Sequence, residues 1–258
     1  MRRWLPFLLL LLPALLAQAN DRAEKLAAAG VEEFIAAYQT WDAARFASAA
    51  KLFREACTNA PGSSTNFYWL GVAQFHRMLQ LRTLPPQRTN EVAADAAMEA
   101  ALAALNTAVK LSEQNAETHA LLGTLYGMKI GDSLLRAARF GPSVARHQKK
   151  ALEFGAENPR VRYLLGTCQF HTARKPAAQR EALGSFLAAE KLFKAEAQRA
   201  AAPLEPRWGY SSCLTFIGRT YELLGEQTKA ADYFHQALAR QPGDHLAKQG
   251  LARVTKGK

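Results

Sequence analysis

Residues 214–244 read LTFIGRTYELLGEQTKAADYFHQALARQPGD, a pattern that dictates two paired helices. Leu214, Ile217, Gly218, Tyr221 and Leu224 recur at helical spacing and share one face. Gly225 then breaks the chain, and Ala230, Phe234 and Ala237 share one face of a second helix. Pro242 ends it, because proline has no N–H to continue the ladder. Two antiparallel helices joined by a tight glycine turn follow. The small residues Gly218, Ala230 and Ala237 fall at helix contact points, where short side chains let the axes approach to ~8–10 Å.

This spacing resembles the tetratricopeptide repeat, a helix pair of about 34 residues. Gly218, Tyr221, Gly225, Ala230, Phe234, Ala237 and Pro242 stand at its landmark positions. Partial copies recur upstream. Ala49, Phe53, Ala56 and Pro61 give the second half of one unit, and FYWLG at 67–71 opens the next. HALLGTLY (119–126) and NPRVRYLLG (158–166) open two more. The resemblance covers most of residues 30–255 and implies an all-α, right-handed superhelical solenoid with one continuous core. The expected units are 30–63, 64–113, 116–156, 159–202 and 211–244, with a closing helix at 245–255, in one domain over 20–258.

The landmark glycines Gly71, Gly123, Gly166 and Gly218 are separated by 52, 43 and 52 residues, so every step exceeds the family repeat. Three insertions are expected. LRTLPPQRTN breaks a helix at Pro85-Pro86, and Asn90 is read as the cap of a long helix to Glu113. DSLLRAARF is read as a short helical piece closed by Gly141-Pro142, and Pro176 as the start of a helix reaching Ala202. GVAQFH (71–76) returns as GTCQFH (166–171), 95 positions on, which points to a tandem of double units. The string FGPSVARHQKKALEFGAENPRVRYLLG, with AEKLF and PRWGY, is similar to a family of exported bacterial tetratricopeptide proteins. Where that family carries a glycine-rich turn after its QFHT-like segment, this chain reads ARKPAAQR.

The first nineteen residues place Arg2 and Arg3 before an apolar run, Trp4 to Leu16, and close on Ala17-Gln18-Ala19. That is the layout of a cleaved secretory signal, the run being short against the ~20 residues a bilayer-spanning helix needs. An uncleaved anchor is the alternative. The expected location is periplasmic or secreted, with no membrane span once the signal is removed. Cys57, Cys168 and Cys213 are too few and too irregular for a disulfide scaffold. No CxxC or HExxH spacing occurs, so no metal or other cofactor is expected.

Charge is concentrated. Residues 129–180 hold 11 Lys/Arg against 3 Asp/Glu, in a chain of net charge +11. Arg136, Arg139, Arg146, Lys149 and Lys150 form its first half, and Arg160, Arg162, Arg174 and Lys175 its second. A solvated helix face and a surface for an acidic partner are both open readings. Export and the lack of interleaved aromatic residues argue against nucleic acid.

Catalysis needs a nucleophile or an acid–base pair brought together, and no such signature is present. His76 and His171 occupy equivalent helix positions, and Cys168 stands one turn from His171 without a third orienting group. In the resembled fold, first helices line a concave wall. That resemblance implies wall positions for Tyr68, Val72, Phe75, Arg160, Tyr163, Phe170 and Arg219, with His76 and His171 on or beside the wall. Aromatic and arginine side chains are common interface anchors, although Phe75 and Phe170 suit a core between repeats equally well. The lysine and asparagine set of the family's two-carboxylate clamp is missing. The sequence therefore leads to a non-catalytic scaffold for a protein partner, with an anionic envelope polymer on the basic segment as the alternative and an enzyme as a weaker one.

Overall fold

A computed structural model describes residues 5–256, with side chains from residue 18 onward. Among the described residues there are eleven helices and no strand. They are α1 (Leu5–Thr40), α2 (Ala43–Asn59), α3 (Ser64–Leu81), α4 (Arg88–Leu111), α5 (Ala116–Ile130), α6 (Leu134–Gly155), α7 (Pro159–Thr172), α8 (Pro176–Glu196), α9 (Tyr210–Leu223), α10 (Gln227–Arg240) and α11 (His245–Thr255). The apolar run Trp4–Leu16, on which the expected leader rests, lies outside the residues whose side chains are described.

The boundaries follow local chemistry. Ser63, Asn115, Ser133, Asn158 and Asp244 each precede a helix and accept a hydrogen bond from a first-turn N–H. Each cap satisfies a donor the helix itself leaves free. Gly225, at φ +80°, makes the tight turn between α9 and α10.

The helices divide into two compact units. One holds α1 up to Ala36 together with Ala43–Leu111; the other holds Ala37–Asp42 and the chain from Ser112 onward. In the first, α2 packs on α3 and α3 on α4. Phe53 stacks on Trp69 at 5.7 Å between ring centroids, and Phe34 meets Trp69 edge-on at 5.4 Å. Helix α4 is long and apolar enough to cross a membrane by length and composition. It buries Ala94, Ala97, Ala101, Leu105 and Ala108, and packs on α3 as a core helix does.

In the second unit, α5 pairs with α6, α7 with α8, α9 with α10, and α11 packs on α10. The α7–α8 and α9–α10 pairs share a joint: a glycine of the first helix receives a large side chain from the second. A Cβ added at Gly166 would stand 2.7 Å from the Phe186 ring, and one at Gly218 2.7 Å from Phe234. The last turn of α1 also belongs here, with Gln241 donating to the Tyr38 carbonyl at 2.6 Å.

Three expectations about the insertions are corrected. Helix α4 begins two residues before Asn90, whose amide donates instead to the Pro85 carbonyl at 3.1 Å. Pro142 does not close a short helix but lies inside α6. Its ring removes the bond to the Ala138 carbonyl, and neither residue is buried, so water can take the vacated acceptor. Helix α8 stops at Glu196 rather than Ala202, because Arg207 turns back and donates to the carbonyls of Glu196, Arg199 and Ala200.

Candidate functional site

The repeated hexapeptide meets two different fates. In the first unit, His76 is 3% exposed and lies among Phe34, Phe46 and Phe75, with centroid separations of 5.1, 5.9 and 5.2 Å. Its Nδ1–H donates to the Val72 carbonyl at 2.9 Å. Burial lowers its pKa to about 4, only partly offset by that bond, so the ring is neutral. In the second unit, His171 is exposed at the end of α7 and meets the Phe216 ring of α9 at 5.9 Å. Its desolvation among aromatic rings, and then the positive charge of Arg219, lower its pKa.

Beside His171, the Arg219 guanidinium lies 4.9 Å from the Phe170 centroid and 5.0 Å from that of Phe216. Phe170 and Phe216 meet edge-on at 5.3 Å and fix the surface on which the arginine rests. Next along α9, Leu223 is 54% exposed and Glu222 accepts a fork from Arg253 at 2.6 and 2.9 Å. A half-buried cation held over two rings is a ready anchor for a partner, since little rotamer freedom remains to be lost on binding.

The other groove candidates are corrected. Tyr68, Val72, Phe75, Arg160, Tyr163 and Phe170 are all buried, so they serve the interior. Tyr68 packs edge-on against Trp69, and Tyr163 packs against Phe186 and Phe216. Arg160 spans a buried network: its Nε donates to Glu117 at 2.7 Å, Nη2 to Glu196 at 2.5 Å, and Nη1 to the second Glu196 oxygen at 3.0 Å. Two carboxylates contributed by α5 and α8 explain why an arginine tolerates that position. Neither glutamate stood out in the sequence, because each is one acidic residue among many on a helix.

The basic residues divide similarly. Arg136, Arg139 and Lys149 are exposed or nearly so on α6, as is Arg146, and Arg174 and Lys175 stand at the α7–α8 turn. Lys150 instead pairs with Glu113, and the Nε of Arg162 donates to the Ala156 carbonyl at 2.7 Å. Sequence reasoning passed over Leu134 and Leu135 on the same helix, which are 88% and 85% exposed. No local pattern marked them, since adjacent leucines also occur fully buried, as Leu121 and Leu122 of α5 are.

Two histidines come together on α5 and α6. His119 Nδ1 and His147 Nδ1 are 2.8 Å apart, and His119 Nε2 lies 2.8 Å from the Glu113 carbonyl. The thiols are inert by comparison, burial pushing Cys57 up to about 12 and raising Cys168 and Cys213. Among the described residues, no group of three or more His, Cys, Asp or Glu could hold a metal ion.

Helix pairs, landmark glycines and capped turns together make this a tetratricopeptide-repeat protein. Solved structures share the fold. A thermophilic tetratricopeptide protein of Thermus thermophilus, TTC0263, superposes with TM-score 0.59 at 15% identity, over 88% of this chain and 98% of that one. The Cut9–Hcn1 hetero-tetramer of the APC/C gives 0.57 at 16% identity, over 94% of this chain and 39% of that one. By sequence, no curated protein matches. The family profile described as "Regulator of microtubule dynamics protein 1-3" matches residues 34–252, and the chain belongs to that family.

Proposed function

We propose that this protein is a non-catalytic scaffold of the cell envelope that holds a protein partner against the α7–α9 surface of its second unit. The observation that carries the reading is Arg219, stacked on Phe170 and Phe216 beside exposed His171 and Leu223. An arginine held rigid at a surface by the rings beneath it is a typical interface hot spot. From the family's description we take only that its members act on a protein assembly. The non-catalytic part is supported by thiols raised by burial, by His76 bonded to the backbone and by His119 and His147 bonded to each other. Envelope location rests on Arg2, Arg3 and the apolar run that follows them.

The test is photo-crosslinking from residue 171 of the full chain in its own cells, with and without Arg219→Ser. A protein that crosslinks in the parent and is lost in the variant, at unchanged melting temperature, carries the reading. Equal crosslinking in both would remove Arg219 from the interface and the reading with it.

A further inference from the structure

One surface of the second unit has no role in that reading. In the later pairs the second helix is covered by the helix that follows, α8 by α9 and α10 by α11, but α6 meets α7 only marginally. Of its 22 residues, α6 buries only His147 and Ala151. The first three turns bury none, and they begin with Leu134 and Leu135, the most exposed of the large hydrophobic residues among those described.

The tip that carries these leucines is built rather than frayed. Gly131, at φ +51°, turns the chain out of α5, and Ser133 caps α6 by accepting from the Arg136 N–H at 3.3 Å. The Phe140 ring stacks on Tyr126 at 6.1 Å and gathers two cations, Lys129 at 5.3 Å and Arg139 at 5.2 Å from its centroid. Arg136 is exposed beside the leucines, and Asp132 is the tip's one carboxylate. Two solvated leucines thus open a helix whose first turns, with the end of α5, carry three cations.

We propose that this tip docks the protein on an anionic bilayer surface, the leucines entering the acyl boundary and Lys129, Arg136 and Arg139 meeting the headgroups. The pairing of chemistries selects the occupant. An anionic polymer would use the cations and leave two leucines in water for nothing. A protein partner needs about 800 Å² per side, roughly 20–30 residues, for a stable interface, and the stretch from Lys129 to Phe140 is far shorter. An interfacial helix terminus requires both an apolar wedge and a basic flank, and both are present. Arg146 and Lys149, farther along α6, lie within reach of the same surface potential when the helix tilts toward the membrane.

The test uses the full chain with phosphatidylcholine vesicles, with and without about one-third phosphatidylglycerol, read by sedimentation and by hydrogen exchange. The apolar N-terminal run would bind both vesicle types, so the informative quantity is the increment due to anionic lipid. The expected result is about tenfold stronger partitioning to anionic vesicles and slowed exchange confined to residues 130–140. Arg136→Gln/Arg139→Gln should reduce that increment several-fold, and Leu134→Ser/Leu135→Ser should weaken partitioning and abolish the slowed exchange at 130–140, with melting temperatures unchanged because none of the four side chains is buried. Equal partitioning by parent and leucine variant overturns the proposal. So does protection of the tip by an acidic amphipathic peptide but not by vesicles, which would make it a protein site.

Discussion

Arg160 grips both carboxylate oxygens of Glu196, Nη2 at 2.5 Å and Nη1 at 3.0 Å, inside the second unit where both side chains are buried. Its Nε is committed to Glu117, which also accepts from Asn158 Nδ2 at 2.8 Å. One guanidinium therefore ties the start of α7 to α5 and α8. Buried ion pairs add little net stability over an apolar replacement of the whole set, but removing one partner strands the others.

Arg160→Met should accordingly cost ~3–5 kcal/mol, because Glu117 and Glu196 lose their counter-charge while remaining buried. Urea unfolding followed by helical circular dichroism measures this. A loss under about 1 kcal/mol would mean that water reaches the carboxylates and that the network is a surface feature.

Two landmark glycines should respond oppositely to the same substitution. At Gly166 a Cβ would stand 2.7 Å from Phe186, whose ring is fully buried and cannot yield, so Gly166→Ala should cost ~1–3 kcal/mol. At Gly123 the nearest atom to an added Cβ is Gln148 Cγ at 3.4 Å, an ordinary contact with a flexible side chain. Gly123→Ala should therefore be neutral or stabilising by up to ~1 kcal/mol, through helix propensity. Paired thermal melts decide it, and equal destabilisation by both would refute the steric account of the glycine landmarks.

These glycines also mark how far the sequence could be read. Periodicity at 214–244 and the recurring glycines made the helix pairs legible, since both report contacts between neighbouring helices. Burial of the wall positions was not legible. Whether Arg160 faces a groove or a core depends on Glu117 and Glu196, 43 and 36 residues away, and no local pattern announces them. His76 and His171 make the same point, closing the same Gln-Phe-His string among different neighbours.

Stability should fall with acid because His76 is buried as a neutral ring. Its folded pKa, about 4, is below the usual histidine value of about 6.5, so the unfolded chain binds the proton more tightly. The full contribution is present above pH ~6.5 and is lost as pH falls toward about 4, to a total of ~3 kcal/mol. His147, also lowered to about 4, adds a loss of the same sign in the same window. Urea midpoints at a series of pH values from neutral to mildly acid, for parent and His76→Gln, should show a shallower decline in the variant. Parallel declines would mean that His76 is not desolvated.

The last prediction concerns tautomers in the His119–His147 pair. A carbonyl only accepts, so the contact between His119 Nε2 and Glu113 O, 2.8 Å long, places a hydrogen on Nε2. A neutral His119 then has a bare Nδ1, and the 2.8 Å separation from His147 Nδ1 requires the hydrogen to sit on His147. His119 should be the Nε2–H form and His147 the Nδ1–H form at neutral pH, both kept uncharged chiefly by desolvation, with His119 adding to it at His147. Nitrogen-15 shifts of the ring atoms distinguish the forms directly. Two rings in the same tautomer, or either ring charged at neutral pH, would show that the pair is bridged by something other than this hydrogen bond.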